Sequence, residues 1–420
     1  MTRPNILGER KLDLSSFSLA QEFGTPLYVY DSCIIKERIR EFAAFDVVRF
    51  AQKACSNLAI LDLMRRTGVL VDAVSAGEIR RALAAGYLPA RGEHPEIVYT
   101  ADIFDREALD LVVEHSLPVN CGSPVMIDQL GERSPGCGVT LRINPGFGHG
   151  HSQKTNTGGA GSKHGIWHTQ VAECIERGAR YGITVTGLHM HIGSGTDMEH
   201  LSQVCHAMET TALEVGPTLR SISAGGGLSV PYREGEQRVD VAAYFEMWDA
   251  TRQKLASLLG IPLTLEIEPG RYLVAEAGRL LTELRAVKQM GENLYYLVDA
   301  GFNNLARPIL YGAYHPMKIY QRDHQSNKLV DVVVGGPLCE SGDIFTQEEG
   351  GFVSTRRLTE AQVGDLLEIG CAGAYGAVMG SNYNTKPLAA EVLVEDSTAH
   401  LIRARQSFEE IIRGERIPTS

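Results

Sequence analysis

The chain has 420 residues, of which 44% are hydrophobic and 22% charged, with a formal net charge of −11. That length suits two domains or one large barrel with an addition, and the composition supplies ample core material. The acidic balance speaks against nucleic acid or an anionic membrane as the main partner.

The start, from Met1 to Lys11, lacks the apolar stretch of a secretory leader. Residues 1–30 read as an N-terminal segment able to add a strand to a second domain. From residue 47 to 270, short β-branched runs alternate with longer amphipathic segments. Strands are expected at 47–54, 70–75, 97–101, 118–122, 139–144, 185–191, 221–225 and 263–267. Helical spacing falls at 57–66, 76–85, 106–115, 169–181, 200–215 and 241–259, with Gly68, Gly86 and Gly260 as stops. Eight such units predict an α/β fold, a parallel (β/α)8 TIM-type barrel over 31–275. A doubly wound sheet would want a GxGxxG after its first strand, and Lys53-Ala54-Cys55-Ser56-Asn57 supplies none.

Beyond residue 276 the rhythm changes. Strand-like runs at 280–290, 294–299, 329–335, 365–369, 391–395 and 401–405 predict a C-terminal β-rich domain, sandwich or barrel, over 276–420. The eight cysteines contain no CxxC pair, so a reducing, cytoplasmic setting is expected. No run reaches the length of a membrane-spanning helix.

Lys53 closes the first apolar run, and burying an unpaired ammonium is costly. It snorkels to solvent or does chemistry, as a lysine that loses its proton on desolvation becomes a Schiff-base nucleophile. Other polar residues gather at strand ends, where a barrel carries its active site. They are Asp72 and Ser75 on the second strand, Arg142 and Asn144, His189 and His191, and Glu266 and Glu268. Gly225-Gly226-Gly227 after the seventh strand and Glu268-Pro269-Gly270-Arg271 after the eighth suit an anion. A lysine and a phosphate cradle at one barrel mouth suggest pyridoxal phosphate, with Glu268 at the ring nitrogen.

The rival reading is a metal hydrolase gripping zinc through His189 and His191, which ranks lower because HxH hydrolase barrels usually carry the pair on the first strand. No metal is therefore expected. His149 and His151 lie in a glycine-rich loop and read as loop residues. The stretch Gly158 to Lys163 lacks the order of a P-loop.

These residues resemble the fold-type III pyridoxal phosphate decarboxylases, the family of ornithine, arginine and diaminopimelate decarboxylases. Within it the match is closest to the branch acting on diaminopimelate. It is carried by Phe50-Ala51-Gln52-Lys53-Ala54, Val74-Ser75-Ala76-Gly77-Glu78, Leu141-Arg142-Ile143-Asn144-Pro145, Ser162-Lys163-His164-Gly165-Ile166 and His189-Met190-His191-Ile192-Gly193-Ser194. Further along come Glu268-Pro269-Gly270-Arg271, Arg307-Pro308-Ile309-Leu310-Tyr311, Cys339-Glu340-Ser341-Gly342-Asp343 and Gly373-Ala374-Tyr375-Gly376.

The resemblance implies that Lys53 holds pyridoxal phosphate, with His191 stacked on its ring. Ser194, Gly226, Gly227, Glu268, Gly270, Arg271 and Tyr375 would complete the cofactor site. Cys339 would be the proton donor, supplied by the partner subunit of a homodimer. Arg271, Arg307 and Tyr311 would face the substrate's distal carboxylate and Glu340 its distal ammonium, while Tyr375 would touch the phosphate and the substrate. The implied reaction is decarboxylation of meso-2,6-diaminopimelate at its D-centre to L-lysine, the last step of lysine biosynthesis. A same-fold enzyme for D-lysine, D-ornithine or a diamino-acid conjugate is the alternative. A non-catalytic paralogue is disfavoured because Lys53 and Cys339 are present. Two departures stand out: Asn304 where the family has Asp, and Cys371-Ala372 where Asp or Thr is common.

Overall fold

A computed structural model describes residues 14–89, 94–148, 158–191 and 198–418. The chain divides into two compact units, one spanning Ile35–Ala275 and the other joining Met1–Ile34 to Glu276–Ser420.

The second unit in this division holds β1 (Leu27–Asp31), and the first begins with β2 (Val47–Ala51), β3 (Leu70–Ala73), β4 (Ile97–Ala101) and β5 (Val119–Cys121). It continues with β6 (Gly138–Asn144), the two-residue β7 (Ile166–Trp167), β8 (Thr184–His189), β9 (Ser221–Ser223) and β10 (Thr264–Ile267). Every pairing is parallel. The order β5-β4-β3-β2-β10-β9-β8-β6 closes through β5 against β6, giving the eight-stranded barrel, with β7 a spur on β6. All eight expected strands are present, several trimmed at their ends.

Side-chain caps explain where the outer helices start. Asn57 accepts from the Ala59 amide, Ser75 from Glu78, Asp105 from Ala108 and Asp240 from Ala243, each satisfying a donor the helix leaves open. Ser75, expected on a strand, is therefore the N-cap of Ala76–Ala84. Its hydroxyl is worth more to that helix end than a strand position is. Lys53 likewise lies past the strand, in a 3-10 turn at Gln52–Ala54. The helix Pro124–Arg133, absent from the expected set, begins with proline at its first position.

In the other unit, β1 lies between β11 (Gly278–Met290), to which it runs antiparallel, and a parallel β17 (Ala390–Glu395). The sheet extends through β12 (Asn293–Val298), β14 (Leu329–Gly335) and β15 (Arg356–Thr359) on one side and β18 (Thr398–Arg403) on the other. Strand β16 (Leu366–Ile369) pairs with β11 and with β13 (Met317–Tyr320). Leu19, Leu27, Val29, Leu281, Ala390 and Val392 form a buried cluster, which fixes the N-terminal strand there by apolar burial. Strands β13 and β15 were not expected. Met317-Lys318-Ile319-Tyr320 is short and mixed, and only pairing with β16 makes it a strand.

Candidate active site

The barrel sets Lys53 between two buried carboxyl groups. Strand β2 pairs with β3 on one side, placing Ala51 opposite Asp72, and with β10 on the other, placing Val48 opposite Ile267, next to Glu268. Lys53 is exposed, beyond the end of β2, and its charge acts on Asp72, Glu78 and His191.

Glu268 is gripped from two sides. Its Oε2 meets His189 Nε2 at 2.7 Å and its Oε1 accepts from Asn120 Nδ2 at 3.3 Å. Burial pushes its carboxyl up, but the His189 imidazole and its hydrogen bond, with the charges of Arg49 and Arg142, outweigh this and hold it below the usual range. Asp72 behaves oppositely. Burial and the nearby Glu268 charge push it up to about 8, against the pull of Lys53 and a hydrogen bond from Thr100. The two carboxyls titrate as a coupled pair in which Asp72 holds its proton more readily than Glu268.

His191 follows β8 and is half-buried, and its Nδ1 accepts from the Gly226 amide at 2.8 Å. Desolvation and the cations around it, Arg142 and Lys53 first among them, hold it well below the usual imidazole range. It stays neutral, as an imidazole accepting through Nδ1 must.

The glycine triplet is required by space. Gly225 and Gly227 have positive φ of 62° and 97°, where L side chains are strained. A Cβ on Gly226 would stand 2.5 Å from the Glu268 carbonyl oxygen. Gly270 abuts the Lys53 strand, where a Cβ would lie 3.1 Å from the Ala51 oxygen. Arg271 opens a short helix, Arg271–Val274, and donates to Tyr232 Oη at 2.8 Å. Ser194, His149 and His151 lie outside the described residues.

In the other unit, Arg307 is buried at the start of the helix Arg307–Tyr311, which ends at Tyr311. The loop bearing Cys339 and Glu340, both exposed, lies against that helix: a Cβ on Gly342 would meet Ile309 Cδ1 at 2.8 Å. Asp343 fixes the loop by accepting from the amides of Leu338 and Phe302 at 2.8 and 2.7 Å, and Asn384 accepts from the Cys339 amide at 2.8 Å. Tyr375 has a positive φ of 56°. Its loop meets Tyr28, whose hydroxyl would lie 2.8 Å from a Cβ on Gly376 and donates to the Asn304 carbonyl at 2.7 Å.

Sequence reasoning missed Asn120, Thr100 and Tyr232, and gave His189 only a metal role. The signal for the first two is a lone polar residue inside each of two buried apolar strands, Val119-Asn120-Cys121 and Tyr99-Thr100-Ala101. It also missed a partly buried ion pair, Arg49 Nε to Glu266 Oε2 at 2.8 Å, and a dyad of His164 Nδ1 with Asp102 Oδ2 at 2.6 Å.

Residues 34–275 match the family described as pyridoxal-dependent decarboxylase, pyridoxal binding domain. The chain is 54% identical over 416 residues to the diaminopimelate decarboxylase of Escherichia coli (strain K12), covering 97% of this chain and 99% of that one. A crystal structure of diaminopimelate decarboxylase, also 54% identical, superposes with a TM-score of 0.92 over 95% of this chain and 96% of that one. The Helicobacter pylori diaminopimelate decarboxylase complexed with L-lysine is 29% identical, with a TM-score of 0.83 over 95% and 98% of the two chains.

Proposed function

The chain belongs to the pyridoxal-dependent decarboxylase family, and on that premise we propose that it removes a carboxyl group from meso-2,6-diaminopimelate at the D-configured centre, yielding CO2 and L-lysine. The observation that carries this reading is the ionised Glu268 carboxylate held just past β10, the strand paired with the one that leads to Lys53.

The residues fit pyridoxal phosphate: an amine at one strand end, a carboxylate with a donor on each oxygen at the next, and a glycine turn with no room for side chains. When bound, that cofactor supplies an electron sink for the pair of electrons left as CO2 departs. Lys53 Nζ would hold the cofactor through its amine. Glu268 would face the ring nitrogen, where a carboxylate favours the protonated form and so a stronger sink. The neutral His191 imidazole would stack against the ring. Gly226, Gly227, Gly270, Arg271, Tyr375 and Ser194 would complete the cofactor site.

Arg307, Arg271 and Tyr311 orient the substrate through its distal carboxylate, Glu340 takes the distal ammonium, and Tyr375 touches the substrate beside the phosphate. Cys339 Sγ delivers a proton to the carbon that has lost CO2 and is recharged from solvent, in keeping with its exposure. The site is shared in a homodimer, Cys339 of one subunit serving Lys53 of the other. The absence of a CxxC pair among the eight cysteines supports a reducing, cytoplasmic setting.

The test is direct. Borohydride should fix the cofactor on Lys53, and meso-diaminopimelate should release CO2 faster than D-lysine or D-ornithine, which lack the distal carboxylate. A preference for either of those would overturn the substrate, and no cofactor on Lys53 would overturn the reaction.

A further inference from the structure

Four buried polar side chains form one hydrogen-bonded chain through the barrel. His189 on β8, Glu268 after β10, Asn120 on β5 and Thr100 on β4 are each at most 5% exposed. His189 Nε2 meets Glu268 Oε2, and Asn120 Nδ2 donates both to Glu268 Oε1 and, at 2.8 Å, to Thr100 Oγ1. The direction of each link follows from the groups. An ionised carboxylate offers only lone pairs, so Asn120 turns its NH2 toward Glu268, and Thr100 accepts from the same amide.

Strands β5 and β10 are not neighbours: going round the barrel, β6, β8 and β9 separate them on one side and β4, β3 and β2 on the other. Asn120 therefore spans the interior from the opposite wall. With His189 on Oε2 and Asn120 on Oε1, Glu268 has one donor per oxygen and a fixed carboxylate plane. His189 Nδ1 ends the chain as a buried atom with no hydrogen-bond partner among the described residues.

We propose that Asn120 is a positioning residue for the reaction: it fixes the Glu268 carboxylate from across the barrel and ties it to Thr100. The proposal rests on the reading of Glu268 as partner of the cofactor's ring nitrogen. Losing the Asn120 donors frees the carboxylate to turn about its terminal bond and weakens its hold on the ring-nitrogen proton. Groups that bind the substrate's far end are untouched, so kcat rather than KM carries the effect.

The experiment uses holoenzyme carrying pyridoxal phosphate labelled with 15N in the ring, read by NMR, alongside steady-state kinetics. Asn120→Leu keeps the size and removes both donors, and Thr100→Val cuts the next link. Asn120→Leu should move the ring-nitrogen resonance toward the unprotonated position and lower kcat by about 10- to 100-fold, as for outer partners that orient a functional ligand. KM should stay within about threefold of the parent value. Thr100→Val should move the resonance the same way by less, and it decides the matter alone if the leucine variant does not fold. Glu268→Gln is the reference. If it leaves the resonance in place, the reading of Glu268 fails and the proposal with it. If it moves the resonance while Thr100→Val and any folded Asn120→Leu do not, the proposal alone is overturned.

Discussion

Arg307 donates from Nη1 to Nε2 of His315 at 2.9 Å, and the same imidazole meets the Gly370 carbonyl through Nδ1 at 3.0 Å. A guanidinium only donates, so Nε2 bears the lone pair and Nδ1 the proton, and His315 is neutral in this arrangement. Both side chains are buried. The pair fixes where the Arg307 fork points, which a flexible surface arginine would not do.

His315→Leu removes that acceptor and leaves the Gly370 carbonyl without this donor. Stability in urea should fall by about 1–3 kcal/mol, the cost of unsatisfied buried polar groups. If Arg307 holds the substrate's distal carboxylate, KM for meso-diaminopimelate should rise about tenfold with a smaller change in kcat. An unchanged KM in a folded variant would remove Arg307 from the substrate site.

Asp72 gives the protein a pH signature. The folded state keeps the Asp72 proton up to about pH 8, whereas an unfolded chain releases it near pH 3.9 (approximately). Between those values the folded state binds a proton that the unfolded state lacks, so this group's contribution falls as pH rises through the window. Asp72→Asn has no proton to lose. The melting temperature of the variant relative to the parent should therefore climb from pH 5 to pH 8, and parallel profiles would count against a protonated Asp72.

A methyl group at position 226 has nowhere to go. The added carbon would stand 2.5 Å from the Glu268 carbonyl oxygen and 3.4 Å from His191 Cε1. Gly226→Ala should cost about 1–3 kcal/mol, as overpacking does, and weaken cofactor binding in an absorbance titration. Gly414→Ala is the control, because its methyl meets nothing within 4 Å. Equal cofactor affinity in the two variants would show that the turn tolerates a side chain.

A site shared between two subunits, as proposed, predicts complementation. Lys53→Ala and Cys339→Ala proteins should each be inactive alone. After subunit exchange at equal amounts, half the dimers are mixed and each holds one intact site, so about a quarter of parental activity should return. No recovery after exchange proven by mass spectrometry would place both residues in one subunit's site.

Much of the barrel was legible because its signals are local. Runs such as Ile97-Val98-Tyr99 and Leu141-Arg142-Ile143 mark strands wherever they pair, and Asn57, Asp105 and Asp240 start helices by bonding residues two or three ahead. Lys53 and the glycine triplet stood out because each conflicts with its surroundings: a cation ending an apolar run, and three residues without side chains. Ser75 misled because the same residue fits a strand end and a helix cap, and only the Glu78 amide decides between them.

By itself the sequence determined the barrel's strand count and, through motifs spread along the chain, the family. The tertiary structure alone decided which polar groups meet. Asn120 and Glu268 are 148 residues apart, and nothing local to either marks the other as its partner. They meet because the closing sheet sets β5 and β10 on opposite walls of an interior small enough for one amide to span. The proton distribution follows from the same closure, since burial and proximity, which no residue type carries in itself, set Glu268 below the ordinary carboxylate range and Asp72 above it.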